Sequence, residues 1–270
     1  MYFEDWIENL FFGKTLEDKL CHFPLREIKK PSFKNHNLTS PGRDKQIEFS
    51  LKQVKFPGKG SLQDEKKRAL AMHFFANHEL LAIEMMAGAI IKFSKFGHFE
   101  NFIRPLVATI HDEQKHLKLY IKRINELGIK FGEFPLNDFF WKFMKEIDSP
   151  ERFQAVMALT FEAANLDFSY FYKNTFEHLG DTKSSQIMDI ILNDEISHVA
   201  RGYSLLQKKN RDVWKYYLDL LPPLLTPARS QGIIFNEKAR KKAGFSDAFI
   251  YSQKNYKDSF RVTRRKKVKL

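Results

Sequence analysis

The chain has 270 residues, of which 43% are hydrophobic and 14% aromatic, so it carries enough apolar side chains for a sizeable folded core. Its single cysteine, Cys21, excludes an intrachain disulfide framework and favours a reducing, cytoplasmic location. We find no signal-peptide pattern and no uncharged apolar run of about 18 residues, so we expect neither a secretory leader nor a membrane span.

The formal net charge of +12 is concentrated towards the end of the chain. Six basic residues fall within the last ten positions: Arg261, Arg264, Arg265, Lys266, Lys267 and Lys269. Such a basic tail can bind an anionic partner such as RNA or a membrane surface. The alternative, which we favour, is a solvated terminus with no partner.

Residues 1–63 are predicted to form a short helix followed by an irregular segment. The helix covers about 1–20, because five apolar residues share one face: Phe3, Trp6, Ile7, Leu10 and Phe11. Closely spaced prolines and glycines punctuate 21–63 and leave no room for a second domain. We therefore expect this segment to wrap over a helical core without forming a core of its own.

Residues 64–210 are predicted to form a four-helix bundle. Apolar periodicity and breaker residues place its long helices at about 64–95, 99–127, 150–178 and 182–208. Gly128 is suited to the C-terminal end of the second helix, and Ser149-Pro150 to the start of the third. A short helix near 136–146 lies in the crossover. The chain then continues as a helical extension over 211–250, with helices near 211–220 and 236–243, and as a basic tail over 251–270.

The most informative feature is a short acidic sequence motif that occurs twice. Asp112-Glu113-Gln114-Lys115-His116 and Asp194-Glu195-Ile196-Ser197-His198 both read D-E-x-x-H. Each has a single glutamate upstream in an apolar helical stretch: Glu79 precedes Glu113 by 34 residues, and Glu162 precedes Glu195 by 33. A glutamate and a histidine three residues apart share one face of a helix. Two single glutamates with two Glu-x-x-His pairs form the ligand set of a two-metal site in a four-helix bundle.

A glutamate within an apolar helical stripe is costly unless it is paired or bound to a metal. We therefore predict six metal ligands: Glu79, Glu113, His116, Glu162, Glu195 and His198. Four carboxylates and two imidazoles suit two divalent first-row ions. We favour two iron ions, with manganese or a mixed manganese–iron pair as the alternative.

Five further polar residues are expected to support these ligands: Asp112, Asp194, Glu84, Asp167 and Asn165. The two aspartates precede the ligand glutamates and are natural acceptors for the second ring nitrogen of the histidines. Glu84 and Asp167 lie five residues after the upstream glutamates, about 140° around each helix. They cannot face the same ion as those glutamates, and we assign them to outer contacts with the ligands or to contacts between helices. Asn165 is placed to hydrogen-bond a ligand carboxylate, and His78 is expected to be a packed histidine.

These motifs resemble those of the ferritin-like di-iron carboxylate superfamily. The resemblance is closer to the bacterial ferritin-like family called domain of unknown function 455. It is carried by NHELLAIE (77–84), DEQKHL (112–117), FEAANLDF (161–168) and DEISHV (194–199), with LTPAR (225–229) and AGF (243–245) further on. It implies an all-α, ferritin-like four-helix bundle built from two helix-hairpin repeats, with the six residues above as ligands. It implies no established substrate.

The ligand set and the resemblance favour an oxygen-activating oxidoreductase, a hydroxylase or oxidase of an organic substrate, with dioxygen as co-substrate. A rubredoxin-like cysteine pair is absent from the sequence, so the electrons must come from a separate donor. Two alternatives stay open: a tRNA-modifying hydroxylase, and a non-catalytic metal-binding or iron-handling protein. The oligomeric state is also open.

Overall fold

The chain is helical throughout the part that the structure describes. The structure is a computed structural model, and it describes residues 1–34, 36–52, 54–96 and 99–258. Ten α-helices, joined by loops and short 3₁₀ and π segments, account for its regular structure, which confirms the all-α prediction. The chain divides into two compact units, Met1–Lys145 and Glu146–Leu270. The six basic residues predicted to form a tail lie outside the described residues.

The first unit is organised around two long helices. Its helices are α1 (Phe3–Phe12), α2 (Leu16–Leu20), α3 (Glu65–Phe93) and α4 (Arg104–Glu126). α3 packs along α4, and α1 packs on α3. A π-helix over Phe99–Ile103 leads into α4, and Gly128, at φ +78°, follows its end as the sequence predicts. The short helix predicted near 136–146 is a 3₁₀ helix over Trp141–Glu146.

The predicted helix over 1–20 is in fact two helices. α1 ends at Phe12, and the N–H of the next residue, Gly13, donates to the carbonyl of Asn9. α2 begins with a capping box, in which Asp18 N–H donates to Thr15 Oγ1 and Thr15 N–H donates to Asp18 Oδ2. The break has local sequence signals, Gly13 and the capping box of Thr15 and Asp18, which the prediction of one helix over 1–20 overlooked.

α3 is the most deeply buried element of the first unit. By length and composition it is apolar enough to cross a membrane, which the sequence did not lead us to expect. However, 83% of its most apolar window is buried inside the chain, and this is the environment of a core helix.

The second unit also contains two long packed helices. Its helices are α5 (Pro150–Val156), α6 (Ala163–His178), α7 (Thr182–Lys209), α8 (Val213–Leu220), α9 (Glu237–Lys242) and α10 (Asp247–Asn255). α6 packs along α7. α5 begins as predicted, with Ser149 accepting a hydrogen bond from Arg152 N–H and Pro150 in the first turn. α10 was not predicted; it is capped by Ser246 and buries Phe249 and Ile250.

The helix predicted over 150–178 is interrupted by a π-helix, Met157–Glu162, between α5 and α6. Within it, Thr160 Oγ1 donates to the carbonyl of Ala155, five residues back, at 2.8 Å. The same hydroxyl lies 2.8 Å from the buried Tyr217 hydroxyl. These contacts stabilise the wider turn, which ends on Glu162.

Candidate metal centre

Three predicted ligands of the first unit lie together in its interior. Glu79 comes from α3, and Glu113 and His116 come from α4. His116 Nδ1 lies 3.5 Å from Glu113 Oε2 and 3.9 Å from Glu79 Oε2. One donor atom from each residue lies within 4.8 Å of the others. We call these three residues the first cluster.

The first cluster is buried because of the pattern of α4. Leu106, Ile110, Leu117 and Tyr120 form the apolar stripe that the sequence predicts to accompany Glu113, and all four are buried. Residues three and four apart lie on one face of a helix, so this stripe carries Glu113 and His116 inward together. Glu113 is 1% exposed and His116 is fully buried, which leaves little water to solvate their polar groups.

The electrostatics of the first cluster favour a positive charge. Burial raises the pKa of Glu79 well above its ordinary value, and the charge of Glu113 raises this pKa further. The nearby His116 lowers it, but does not reverse the shift. Two carboxylates in one water-poor site repel each other, and a cation between them removes both the repulsion and part of the desolvation cost.

The second unit has a matching group, the second cluster. It consists of Glu162, at the end of the π-helix, with Glu195 and His198 from α7. Their donor atoms also lie within 4.8 Å of one another, and His198 Nδ1 lies 3.3 Å from Glu195 Oε2. Asn165, expected to reach a ligand carboxylate, donates from Nδ2 to Glu195 Oε1 at 2.9 Å. All three cluster residues are buried.

The two clusters have the same donors but different supports. Three residues after the upstream glutamate, the second unit has Asn165 and the first unit has Ala82, which has no polar side chain. Glu79 lies in the middle of a regular α-helix, whereas Glu162 ends a π-helix. The carboxylates of the second cluster are therefore held by a side-chain hydrogen bond and a backbone irregularity for which α3 has no counterpart at the corresponding positions.

The donor atoms of each cluster fit a metal ion. Oxygen and nitrogen donors bind a first-row ion at about 2.1 Å, so two donors on one ion lie roughly 3 to 4 Å apart. The nitrogen-to-oxygen distances are 3.5 and 3.9 Å in the first cluster and 3.3 Å in the second. Carboxylate and imidazole donors suit iron, manganese and zinc alike, so the donors do not identify the metal.

Glu84 contacts the N-terminal segment. Its carboxylate accepts hydrogen bonds from Arg43, at 2.7 Å from the terminal nitrogen, and lies 3.3 Å from Lys19 Nζ. All three side chains are almost completely buried. Lys19 Nζ also donates to the carbonyls of Leu10 and Phe11. The buried ion pairs of Lys19 and Arg43 with Glu84 therefore connect the segment before α3 to that helix.

Asp167 has an equivalent partner in the second unit. Arg240 donates to both of its carboxylate oxygens, and both side chains are fully buried. The N–H groups of Gly232 and Asn236 donate to the same carboxylate, at 2.8 and 2.6 Å. In each unit, therefore, the acid five residues after the upstream glutamate is bound by a buried arginine from a flanking segment.

Three other residues singled out in the sequence, Asp112, Asp194 and His78, have the following surroundings. Asp112 is half-buried, with Oδ1 3.6 Å from Lys115 Nζ, and Asp194 is also half-buried. Their role as acceptors for the ligand histidines stays a prediction. The ring of His78 stacks on Phe140 at 4.9 Å, and burial lowers its pKa to about 4, as for a packed neutral histidine.

Sequence reasoning missed Lys19, Arg43 and Arg240, the cations that hold Glu84 and Asp167. A buried acid needs a cation or a metal, so the need for a partner was visible in the apolar stripes. The identity of the partner was not visible, because these cations lie 41 to 73 residues away in the sequence or, for Lys19, in the distant N-terminal segment.

The structure thus defines a helical protein with a buried carboxylate–histidine cluster in each of its two units. The chain belongs to the family described as Protein of unknown function (DUF455), which matches residues 11–251. It is similar to an uncharacterized protein of Haemophilus influenzae, at 28% identity over 199 residues, which are 70% of this chain and 68% of that protein. No solved structure matches the chain.

Proposed function

We propose that the two clusters together supply the ligands of one two-metal centre in a ferritin-like four-helix bundle. The observation that carries the proposal is the repetition of one buried donor set, two carboxylates and one imidazole, in both units. Four carboxylates and two histidines from four helices are the ligands of di-iron and di-manganese bundle proteins. Glu79, Glu113, His116, Glu162, Glu195 and His198 are the proposed ligands.

Ligand counting supports two ions that share carboxylates. First-row ions in proteins take four to six ligands. Each cluster offers three residues, so a separate ion in either would need several further donors. A carboxylate has two oxygens and can bridge two ions, which raises the number of donors around each without adding residues. Glu113 and Glu195 each precede a histidine ligand by three residues on the same helix, so each would hold an ion together with that histidine.

With iron bound, such a centre would transfer electrons from a donor to dioxygen, so that dioxygen could react with an organic molecule. Hydroxylation places one oxygen atom in the substrate and reduces the other to water, with two electrons and two protons from a donor. Cys21 is the only cysteine, so we propose that a separate protein provides these electrons, in the cytoplasm. The contribution of this chain is to bind and orient the ions: the buried stripe of α4 excludes water, and Asn165 holds one carboxylate in a fixed orientation.

A second candidate function is metal handling without catalysis. It is favoured by the burial of the donor residues, none of which is more than 5% exposed, since such an enclosure suits retention of an ion. The tRNA-modifying alternative is supported only by the net charge of +12 and would need a basic face beside the metal site, and it stays a prediction.

Dioxygen uptake distinguishes the two candidates. The protein is purified without oxygen, loaded with ferrous iron, and mixed with dioxygen while oxygen concentration and the visible spectrum are followed. We expect uptake proportional to the bound iron, with a change in visible absorption. Glu113→Ala should abolish both, whereas the control Glu177→Ala, at an exposed position on α6, should leave both unchanged. Retained iron without uptake would refute the oxygenase proposal and favour metal handling.

A further inference from the structure

A short chain of hydrogen bonds holds the turn that presents Glu162. The side chain of Thr160 has one hydroxyl proton, which it donates to the carbonyl of Ala155 at 2.8 Å. The hydroxyls of Thr160 and Tyr217 lie 2.8 Å apart, so the proton between them must come from Tyr217. Burial raises the pKa of Tyr217, so this hydroxyl keeps its proton and can donate it. The hydrogen bonds therefore run from Tyr217 to Thr160 and on to the backbone of Ala155.

We propose that Tyr217 is a positioning residue for Glu162, and that its hydroxyl sets how tightly the second cluster holds a metal ion. The inference rests on the proposed metal centre, because Tyr217 acts only through a proposed ligand. Tyr217 is fully buried on α8, 57 residues after Thr160, and belongs to neither cluster. It would act as the side chains behind metal ligands commonly do, by fixing the orientation of a donor group.

The π-helix determines the direction in which Glu162 points. A π turn contains about one more residue than an α turn, so it rotates the helix after it by about 100° relative to the helix before it. α5 and α6, on either side of the π-helix, both pack on α7. The rotation is therefore taken up within Met157–Glu162, whose last residue is the proposed ligand. If this segment relaxed to α geometry, the carboxylate of Glu162 would turn away from Glu195 and His198.

The chain after Glu162 is held by a different residue. Arg240 donates to the carbonyl of Ala163 at 3.2 Å and to Asp167, and all of these hydrogen bonds are buried. Arg240 thus contacts residues that follow Glu162, whereas Tyr217 contacts the turn that precedes it. Because the two residues hold opposite ends of the same short segment, the loss of either contact should allow Glu162 to move.

The hydroxyl of Tyr217 can be tested apart from its ring. The ring packs on Trp214 and Phe249, with 5.7 Å between centroids in each pair, and phenylalanine would keep both contacts. Tyr203 provides a matched control, because it is buried in the same hydrophobic core. Its hydroxyl donates to Ser246 Oγ and accepts from Ser246 N–H, both at 3.2 Å. Tyr203→Phe therefore removes a buried, hydrogen-bonded hydroxyl without removing the bond to the π-helix.

Cobalt(II) binding to the metal-free protein tests the proposal, because the visible absorption of this ion reports the geometry of its ligands. Cobalt(II) is titrated without oxygen, in competition with a chelator of known affinity. We expect Tyr217→Phe and Thr160→Val each to weaken the binding of at least one ion by about tenfold or more and to change the visible bands. Thr160→Ser, which keeps the hydroxyl, and Tyr203→Phe should match the parent in affinity and in spectrum.

The outcomes separate this inference from the metal centre on which it rests. If the parent bound two ions and Tyr217→Phe bound them equally tightly with the same spectrum, the role of Tyr217 would be wrong and the centre would stand. An equal loss in Tyr203→Phe would also overturn that role, since it would report only a weakened core. If the parent bound no cobalt(II), the metal centre would be wrong, and the role of Tyr217 with it. Hydrogen exchange in the metal-free protein should be faster over Met157–Glu162 in Tyr217→Phe than in Tyr203→Phe, and equal exchange would contradict the inference.

Discussion

Glu79 and Glu84 lie five residues apart on α3 and are both buried, yet replacing each with glutamine should change the stability of the metal-free protein in opposite directions. Glu79 is a proposed metal ligand, and burial and the charge of Glu113 raise its pKa well above 4.5. Glu84 is paired with Arg43 and Lys19. Without a bound cation, the carboxylate of Glu79 lowers the stability of the fold. The carboxylate of Glu84 is already neutralised by its two cations.

The sign for Glu79 follows from proton binding. The unfolded chain releases the proton of this carboxyl near pH 4.5, and the folded metal-free chain retains it to higher pH. The contribution of Glu79 to stability is therefore fully present below pH 4.5 and is lost as pH rises towards the raised pKa. Between pH 4.5 and pH 7 the loss of folding stability cannot exceed about 3.4 kcal/mol, because each pH unit contributes at most about 1.36 kcal/mol. Glu79→Gln should remove this penalty and stabilise the metal-free protein by up to about 3 kcal/mol.

The matched variant Glu84→Gln should have the opposite effect. It removes the only carboxylate shown to pair with two nearly buried cations, Arg43 and Lys19. Breaking one side of a buried ion pair costs about 3 to 5 kcal/mol, because the remaining charge is buried without compensation.

Urea unfolding followed by circular dichroism measures both effects in protein stripped of metal with a chelator. The free energy of unfolding of Glu79→Gln should exceed that of the parent at pH 7 and approach it at pH 5, while Glu84→Gln should be less stable at both pH values. If both variants were destabilised by similar amounts, Glu79 would be a structural charge with a buried partner, and its assignment as a ligand would be wrong.

Three further predictions test other parts of the structure. Arg240→Met should lower the free energy of unfolding by about 3 to 5 kcal/mol, with part of the loss recovered in Asp167→Asn/Arg240→Met; a loss below about 1 kcal/mol would show that the pair is not stabilising. Burial lowers the pKa of His73 to about 4, and its Nε2 accepts a hydrogen bond from Gly132 N–H. Protonation of this group should therefore lower the free energy of unfolding by about 3 kcal/mol as pH falls from 6.5 to 4. In urea unfolding, the free energy of His73→Gln should decline less steeply over this pH range, and an unchanged decline would contradict the assignment. Asn165→Ala should weaken metal retention in chelator competition by about tenfold or more, and unaltered retention would mean that its hydrogen bond does not support the centre.

The positions of the long helices and the cluster donors could be predicted because they depend on local patterns. α7 runs from Thr182 to Lys209, close to the predicted 182–208, because its apolar periodicity and its end signals agree. Glu113 and His116 face the same way because three residues make nearly a full helical turn. The pairing of each motif with an upstream glutamate was visible because the sequence repeats it.

The features that were missed depend on contacts distant in the sequence. In the π-helix before α6, the hydroxyl of Thr160 contacts both the carbonyl of Ala155 and the hydroxyl of Tyr217, which lies 57 residues further on. α10 is stabilised by Phe249 packing on Trp214 and Tyr217, whereas its local sequence is short and rich in polar residues. A one-dimensional pattern does not contain these partners.

Metal content tests the central claim most directly. Protein prepared without oxygen and dialysed against a weak chelator is analysed for iron, manganese and zinc, beside Glu113→Ala, His198→Ala and the exposed control His178→Ala. We predict about two metal ions per chain in the parent and the control, and loss of at least one in each cluster variant, with the helical circular dichroism retained. If either cluster variant kept two tightly bound ions, that residue would not be a ligand; if the parent bound none, the two-metal centre would be wrong.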